Sequence, residues 1–380
     1  MIETIHNSVF YEKPEVVSSA PGKINLMGEH TQRNGGFVFS IGVNRRVYVS
    51  ISSRADEKFL VYFDRDIAIE SFTKKSLSKI SKGERSAPVK GIIKSFLDNG
   101  FDVSGLNICI ATDIPASVDL GDLSATIVAL SFGIRHLQNF NIEDIDLIQL
   151  CEKANKYLPH FYVNVFDCIA SAMARDNAGV FIDCRTFKYE YAPISKGLKI
   201  LIIDPGEKDI YAVDDFLKRE KECKEALDVI SSVNPKINSL RDLTLDEIPK
   251  YSNFLEKNSI NRIKYIVGEN ERTLNFVVAL RRRNFSMLGK LMFDSHFSLR
   301  NDYEMSSDEI DAIVDISATI DGVVGAKIYG VRSGVVALAL KEKAGEAIRV
   351  ISEEFQKLFG RKVKIYVTSP ENGVEVSSRG

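Results

Sequence analysis

Between Ala20 and Gly36 the chain reads APGKINLMGEHTQRNGG, which sets Lys23, the pair Glu29–His30, Gln32 and the turn Asn34-Gly35-Gly36 close together. Glu29 and His30 can accept and donate the hydrogen bonds that sugar hydroxyls need, and an asparagine followed by two glycines makes a tight turn. Lys23 stands one position before the apolar run Ile24, Leu26, Met27 and offers a positive charge to a phosphate. Such a loop suits a small hydroxylated ligand. On residue types alone it also suits a surface strand and turn with solvated charges, and both readings stay open at this level.

Elements able to position such a loop are legible around it. RRVYVSISSRA (45–55) and KFLVYFDRD (58–66) alternate as two neighbouring antiparallel strands would. GLNICIATDIP (105–115) is a further strand running into a polar loop. The helix after it places Ile127, Leu130, Ile134 and Leu137 on one face. AGVFIDCRT (178–186) and LKILIIDPG (198–206) are expected as strands joined by a turn. Past residue 200 the pattern turns helical in DDFLKREKECKEALDVISS, NRIKYIVGENERTLNFVVALRRR and FSMLGKLMFDSHFSLRNDY, with Gly289 a weak point in the last. GAKIYGVRSGVVALAL and KVKIYVTSP close the chain as strands around one more helix. This predicts two α+β domains, 1–195 and 196–380.

Bulk properties restrict the function classes. The 380 residues are 44% hydrophobic and 27% charged, as in a globular protein, with a net charge of -2 that gives no basic field for nucleic acid or an anionic membrane. Arg281-Arg282-Arg283 is read as a solvated helix face. Cys109, Cys151, Cys168, Cys184 and Cys223 are odd in number and widely spaced, which suits a reducing cytoplasm better than disulfides or zinc. The acidic N-terminus lacks the apolar stretch of a signal peptide, and no apolar run reaches the ~20 residues of a membrane helix.

The loop 20–37 is similar to the opening signature of galactokinases in the GHMP kinase superfamily, close to APGRVNLIGEHTDYNGG. FSMLGKLMFDSHFSLRNDYEMSSDEID (285–311) resembles that family's FGxLMxxSHxSLRxxYxVSxxELD, and RIKYIVGENER (262–272) its RxxHVxxEnxR. With GVFIDCRT the likeness runs in order along nearly the whole chain. It implies a two-domain α+β GHMP kinase fold with the active site in the interdomain cleft. It also implies ATP- and Mg²⁺-dependent phosphorylation of a sugar's anomeric hydroxyl, a reaction carried mostly by positioning and charge stabilisation. The expected partners are the sugar and a nucleoside triphosphate, with no nucleic acid or membrane, in a monomer or weak homo-oligomer.

Carried over residue by residue, the resemblance makes Asp167 in VNVFDCIAS the catalytic base; capping the following helix is its alternative role. Lys23 stands where the signature has arginine, replacing a bidentate fork by a point charge. Glu29, His30, Gln32, Asn34 and Phe216 are the implied sugar contacts. Gln32 stands for an aspartate, and Phe216, in FLKREKEC (216–223), for a tyrosine.

The nucleotide loops depart further. Against IPxGxGLSSSAS the chain reads IPASVDLGDLSAT (114–126); without gaps, Ser117 and Asp119 replace glycines and Gly121, Asp122, Leu123 replace serines. A shifted register puts Ser124 and Thr126 at serine positions. Either way Asp119 and Asp122 bring negative charge towards a triphosphate unless a metal intervenes. GAKIYGVRSGVV (325–336) stands for GAKMTGGGFGGC, with β-branched Val331 unsuited to a positive φ. The implied nucleotide set is Ser117, Gly121, Asp122, Ser124, Gly330 and Arg332, with Asp122 and Ser124 on the metal. Two other functions remain open: a catalytically impaired sugar or nucleotide sensor, and a kinase for another small alcohol.

Overall fold

The structure, a computed structural model, describes residues 1–78, 80–81, 83–158, 162–206 and 211–378. In chain order the elements are α1 (Ile2–Phe10), β1 (Val16–Met27), β2 (Phe37–Ser53), β3 (Lys58–Phe63), β4 (Ala68–Thr73), α2 (Ala87–Asp98), β5 (Leu106–Thr112), α3 (Asp122–Leu137), α4 (Asp144–Glu152), α5 (Val165–Ala172), β6 (Ala178–Asp183) and β7 (Tyr189–Pro193). They continue with β8 (Leu198–Asp204), α6 (Ala212–Val233), α7 (Lys257–Arg281), α8 (Phe285–Ser298), α9 (Asp308–Thr319), β9 (Val323–Tyr329), β10 (Gly334–Leu340), α10 (Ala344–Phe359), β11 (Lys364–Thr368) and β12 (Glu375–Ser378).

Two sheets organise these elements. The first has the order β12-β1-β2-β5-β3-β4, with β6 on β2 and β7 on β6; the second is β11-β8-β10-β9. The strands at 45–55 and 58–66 are therefore not neighbours. β5 lies between them, antiparallel to β2 and parallel to β3. Nor is β6 joined to β8 by a turn: β7 returns antiparallel along β6, and β8 starts the second sheet. The last strand, β12, returns to pair with β1 of the first sheet, so the segment 196–380 contributes to both sheets.

The larger core runs from the first sheet under α2, α3 and α5 and on to Ile200, Ile202, Val336 and Leu338 of the second. Ile127, Leu130 and Ile134 are buried there as the helical spacing required. A second core lies between the β8–β10 sheet face and α6, α7, α9 and α10. Gly289 gains its meaning from packing: a Cβ there would lie 1.8 Å from the Val324 carbonyl oxygen, so its absence lets α8 rest directly on β9.

Two features aim the opening loop. The pairing of β1 with β2 shifts register between Pro21 and Lys23 and again between Asn25 and Met27. Such irregularities re-aim side chains, and both Lys23 and Asn25 face the cleft described below. From the other side α7 grips the loop. The Gly28 N–H donates to Glu269 Oε1 (2.9 Å) and the Phe37 N–H to Asn270 Oδ1 (2.9 Å). Glu269 is itself fully buried and also accepts from the Ser295 hydroxyl and Arg272. Three sequence motifs thus meet at one place.

Candidate active site

A cleft of about 310 Å³ is lined by β1, the loop after it, the start of α5, α6 and the β9–β10 turn. In its lining Lys23 Nζ lies 2.7 Å from Asp167 Oδ1, with the two side chains 12% and 19% exposed. Asp167 sits in the first turn of α5, whose cap is supplied by Asn164, accepting from the Phe166 N–H (3.1 Å). Asp167 is therefore not the helix cap. Burial pushes its carboxyl above the usual range, Asp119 and Glu29 add to that, and Lys23 opposes it. Burial alone would lower the Lys23 pKa, but Asp167, Glu29 and Asp119 together raise it. The lysine stays charged.

Next to this pair lie Glu29 and His30. Glu29 Oε1 accepts the Gly330 N–H (2.7 Å), tying the loop to the β9–β10 turn. Its Oε2 is buried without a protein partner. Burial would raise the Glu29 pKa, but Lys327, His30 and Lys23 bring it below the ordinary value. His30, at φ 62°, is flanked by the Tyr303 ring at 5.4 Å and the Phe216 ring at 4.9 Å. Burial lowers its pKa to about 4, so the imidazole is neutral, and its Nε2 lacks a protein partner. Buried polar atoms are rarely left unsatisfied. Two of them aligned along one cleft describe a seat for a ligand rich in hydroxyl groups.

Of the residues expected from sequence, Lys23, Glu29, His30, Gln32, Asp167, Phe216 and Gly330 line this cleft. Asn34 does not; it lines an adjoining cavity. Ser117, Gly121, Asp122, Ser124 and Arg332 are also not among the lining residues. Asp122 starts α3 but faces Arg65 (3.4 Å) and the Thr112 hydroxyl (3.1 Å). Ser124 is 5% exposed. Arg332 is paired with Asp215 on α6 at 3.0 Å. The left-handed positions of that turn are Gly330 (φ 62°) and Arg332 (φ 54°), so Val331 carries no such strain. Among the described residues no group of three or more His, Cys, Asp or Glu side chains could hold a metal ion.

Several lining residues carry no sequence signal. Arg33, Tyr162 and Glu220 form the outer wall, with the Arg33 guanidinium 4.4 Å from the Tyr162 ring centroid and ion-paired to Glu220. Burial pushes the Glu220 carboxyl up to about 7 despite Arg33. Asp119 also lines the cleft and accepts from the Ser333 hydroxyl (3.3 Å) across the turn.

A two-sheet α+β body with a lysine–carboxylate pair between a sugar-type loop and two glycine turns is that of a GHMP kinase. Residues 276–357 match the family model "GHMP kinases C terminal", and residues 4–53 match the "Galactokinase galactose-binding signature". The chain is 31% identical to a galactokinase of Thermotoga petrophila over 359 residues, covering 94% of this chain and 98% of that protein. It is 30% identical to a galactokinase of Clostridium beijerinckii over 380 residues, covering 98% and 97%. The chain belongs to the galactokinase family. Its structure is similar to that of Lactococcus lactis galactokinase complexed with galactose (TM-score 0.93, 25% identity, 98% of each chain). A mevalonate kinase of Methanococcus jannaschii shares the fold at TM-score 0.64 and 17% identity, over 94% of this chain and 98% of that one.

Proposed function

We propose that this protein transfers the terminal phosphoryl group of ATP to the anomeric hydroxyl of galactose or a closely related sugar. The observation that carries the reading is the Lys23–Asp167 pair at 2.7 Å, set in the lining of a cleft bearing the unpartnered Glu29 Oε2 and His30 Nε2. Sugar hydroxyls complete those two atoms, and Gln32 and Asn164 add further polar contacts from the same walls. The anomeric hydroxyl then meets Asp167, whose carboxylate takes its proton as the oxygen attacks phosphorus. The raised carboxyl pKa suits a group that must hold that proton. Lys23, held charged by three carboxylates, stabilises the negative charge spread over the transferring phosphoryl group.

The nucleotide is assigned to the side of Gly121, Gly330 and the α3 N-terminus, where backbone N–H groups and the helix dipole favour phosphate. Mg²⁺ is expected with ATP. Cytoplasmic residence fits five free, buried cysteines. No helix among the described residues is long and apolar enough to cross a membrane.

Galactose-dependent ADP formation tests the reading. Asp167→Asn should reduce kcat by two to four orders of magnitude, about the worth of a positioned base. Sugar-independent ADP release, or unchanged turnover in that variant, would remove Asp167 from the reaction.

A further inference from the structure

The cleft does not end at the sugar seat. A second cavity of about 350 Å³ adjoins it, lined by Arg33, Asn34, Leu217, Glu220, Lys221, Lys224 and Leu227. The two cavities share Arg33 and Glu220, and neither Lys23 nor Asp167 lines the second. The two therefore meet at Arg33 and Glu220, away from the Lys23–Asp167 pair. The second is of comparable size to the first, enough for a second unit of similar bulk.

Its lining has the chemistry of a carbohydrate subsite. Leu217 and Leu227 give an apolar floor, Asn34, Lys221 and Lys224 offer amide and ammonium donors, and Glu220 offers an acceptor. Arg33 and Glu220 line both compartments. Arg33 leans on the Tyr162 ring at 4.4 Å and on Phe216 at 5.9 Å while pairing with Glu220. The Arg33 side chain is 42% exposed, so it can swing outward without disturbing the core. On the inner side Phe216 offers a flat apolar face and no hydroxyl that would close the seat around a single ring.

From this arrangement we propose that the acceptor site holds a reducing disaccharide, the reducing-end sugar at Lys23–Asp167 and the second sugar beyond the Arg33–Glu220 pair. The inference rests on the acceptor seat proposed above. The reaction keeps the same balance: the reducing-end anomeric oxygen forms the new O–P bond, ADP leaves with the broken bond's electrons, and Asp167 takes the proton. The glycosidic bond is untouched.

The test compares galactose with disaccharides that carry galactose at the reducing end and a hexose on O3, O4 or O6. Binding is measured by titration calorimetry and turnover by ADP release. At least one disaccharide should bind as tightly as galactose or more tightly. Leu217→Trp, placed at an exposed position of the outer lining, should lower the disaccharide-to-galactose affinity ratio at least tenfold. Lys224→Ala should lower it severalfold without the added bulk. Galactose binding with no measurable disaccharide binding overturns the inference and leaves the kinase reading intact, as does an unchanged ratio in both variants. Leu217-dependent disaccharide binding with ADP formed from galactose but not from the disaccharide overturns the productive pose, and with no ADP from either sugar it supports the subsite and removes the kinase reading.

Discussion

Replacing Lys23 by methionine removes the cation against which Asp167 is held. The two side chains are 12% and 19% exposed at 2.7 Å, so the relevant scale is that of a buried pair losing one partner, about 3–5 kcal/mol. A surface pair would give only about 0–1 kcal/mol. Glu29 and Asp119 sharpen the asymmetry, because both act on Lys23 as well as on Asp167. Lys23→Met leaves three carboxylates facing one another, whereas Asp167→Asn leaves Lys23 with two remaining partners and should cost only about 1–2 kcal/mol. The double variant has no unpaired lysine or aspartate at the pair, so it should recover about 2 kcal/mol or more relative to the sum of the singles. The sign with pH is also fixed. In Lys23→Met the Asp167 carboxyl lies further above its unfolded value, so its penalty is absent below that value and grows as pH rises through the folded one. The deficit should be smaller at pH 4.5 than at pH 8. Urea unfolding of the four proteins at both pH values, with unchanged m, measures this. Additivity within about 0.5 kcal/mol would refute the coupling on which the site is built.

Other expectations follow from the same geometry. Arg332→Ala should leave the KM for ATP within about threefold, because its guanidinium is paired with Asp215. Asp119→Gly should lower that KM, since the Asp119 carboxylate sits beside Gly330 and acts on Lys23 where phosphate would compete; a raised KM would contradict this. Glu220, with a folded-state pKa of about 7 against 4.5, contributes stability at low pH that is lost as pH rises through 7. Glu220→Gln should therefore unfold about 1–2 kcal/mol less easily than the parent at pH 8, with the difference vanishing near pH 4. Glu269→Ala, which frees the Gly28 N–H and the Ser295 hydroxyl in a fully buried place, should destabilise by about 3 kcal/mol and raise the KM for sugar.

The sugar side of the site was legible because its chemistry lies in one short segment. Lys23, Glu29, His30 and Gln32 fall within ten residues, and the resemblance of VNVFDCIAS supplied Asp167. The outer wall was not legible. Tyr162 and Glu220 come from segments distant from the loop, and in FLKREKEC the acid reads like any charge on a solvated helix face. Arg33, next to Gln32, reads as an ordinary loop charge until those two partners are placed against it. The partners of the nucleotide-side residues were illegible for a related reason. Type and position put Asp122 and Arg332 at phosphate, and nothing in the sequence marks the ion pairs they make with Arg65 and Asp215, remote from them in the chain. Strand alternation identified β2, β3 and β5 but carries no information on partner order, so β5 entering between the other two could not be read from it. Gly289 looked like a flaw in a helix until β9 was placed against it.

The central claim is phosphoryl transfer to the anomeric oxygen at the Lys23–Asp167 pair. Incubating the protein and its Asp167→Asn variant with Mg²⁺-ATP and galactose, and following the products by ³¹P NMR, tests it most directly. A sugar 1-phosphate resonance that grows with the parent protein and is slowed at least a hundredfold in the variant is the expected result. A phosphate on any other hydroxyl, or no sugar phosphate while galactose demonstrably binds, would contradict the account.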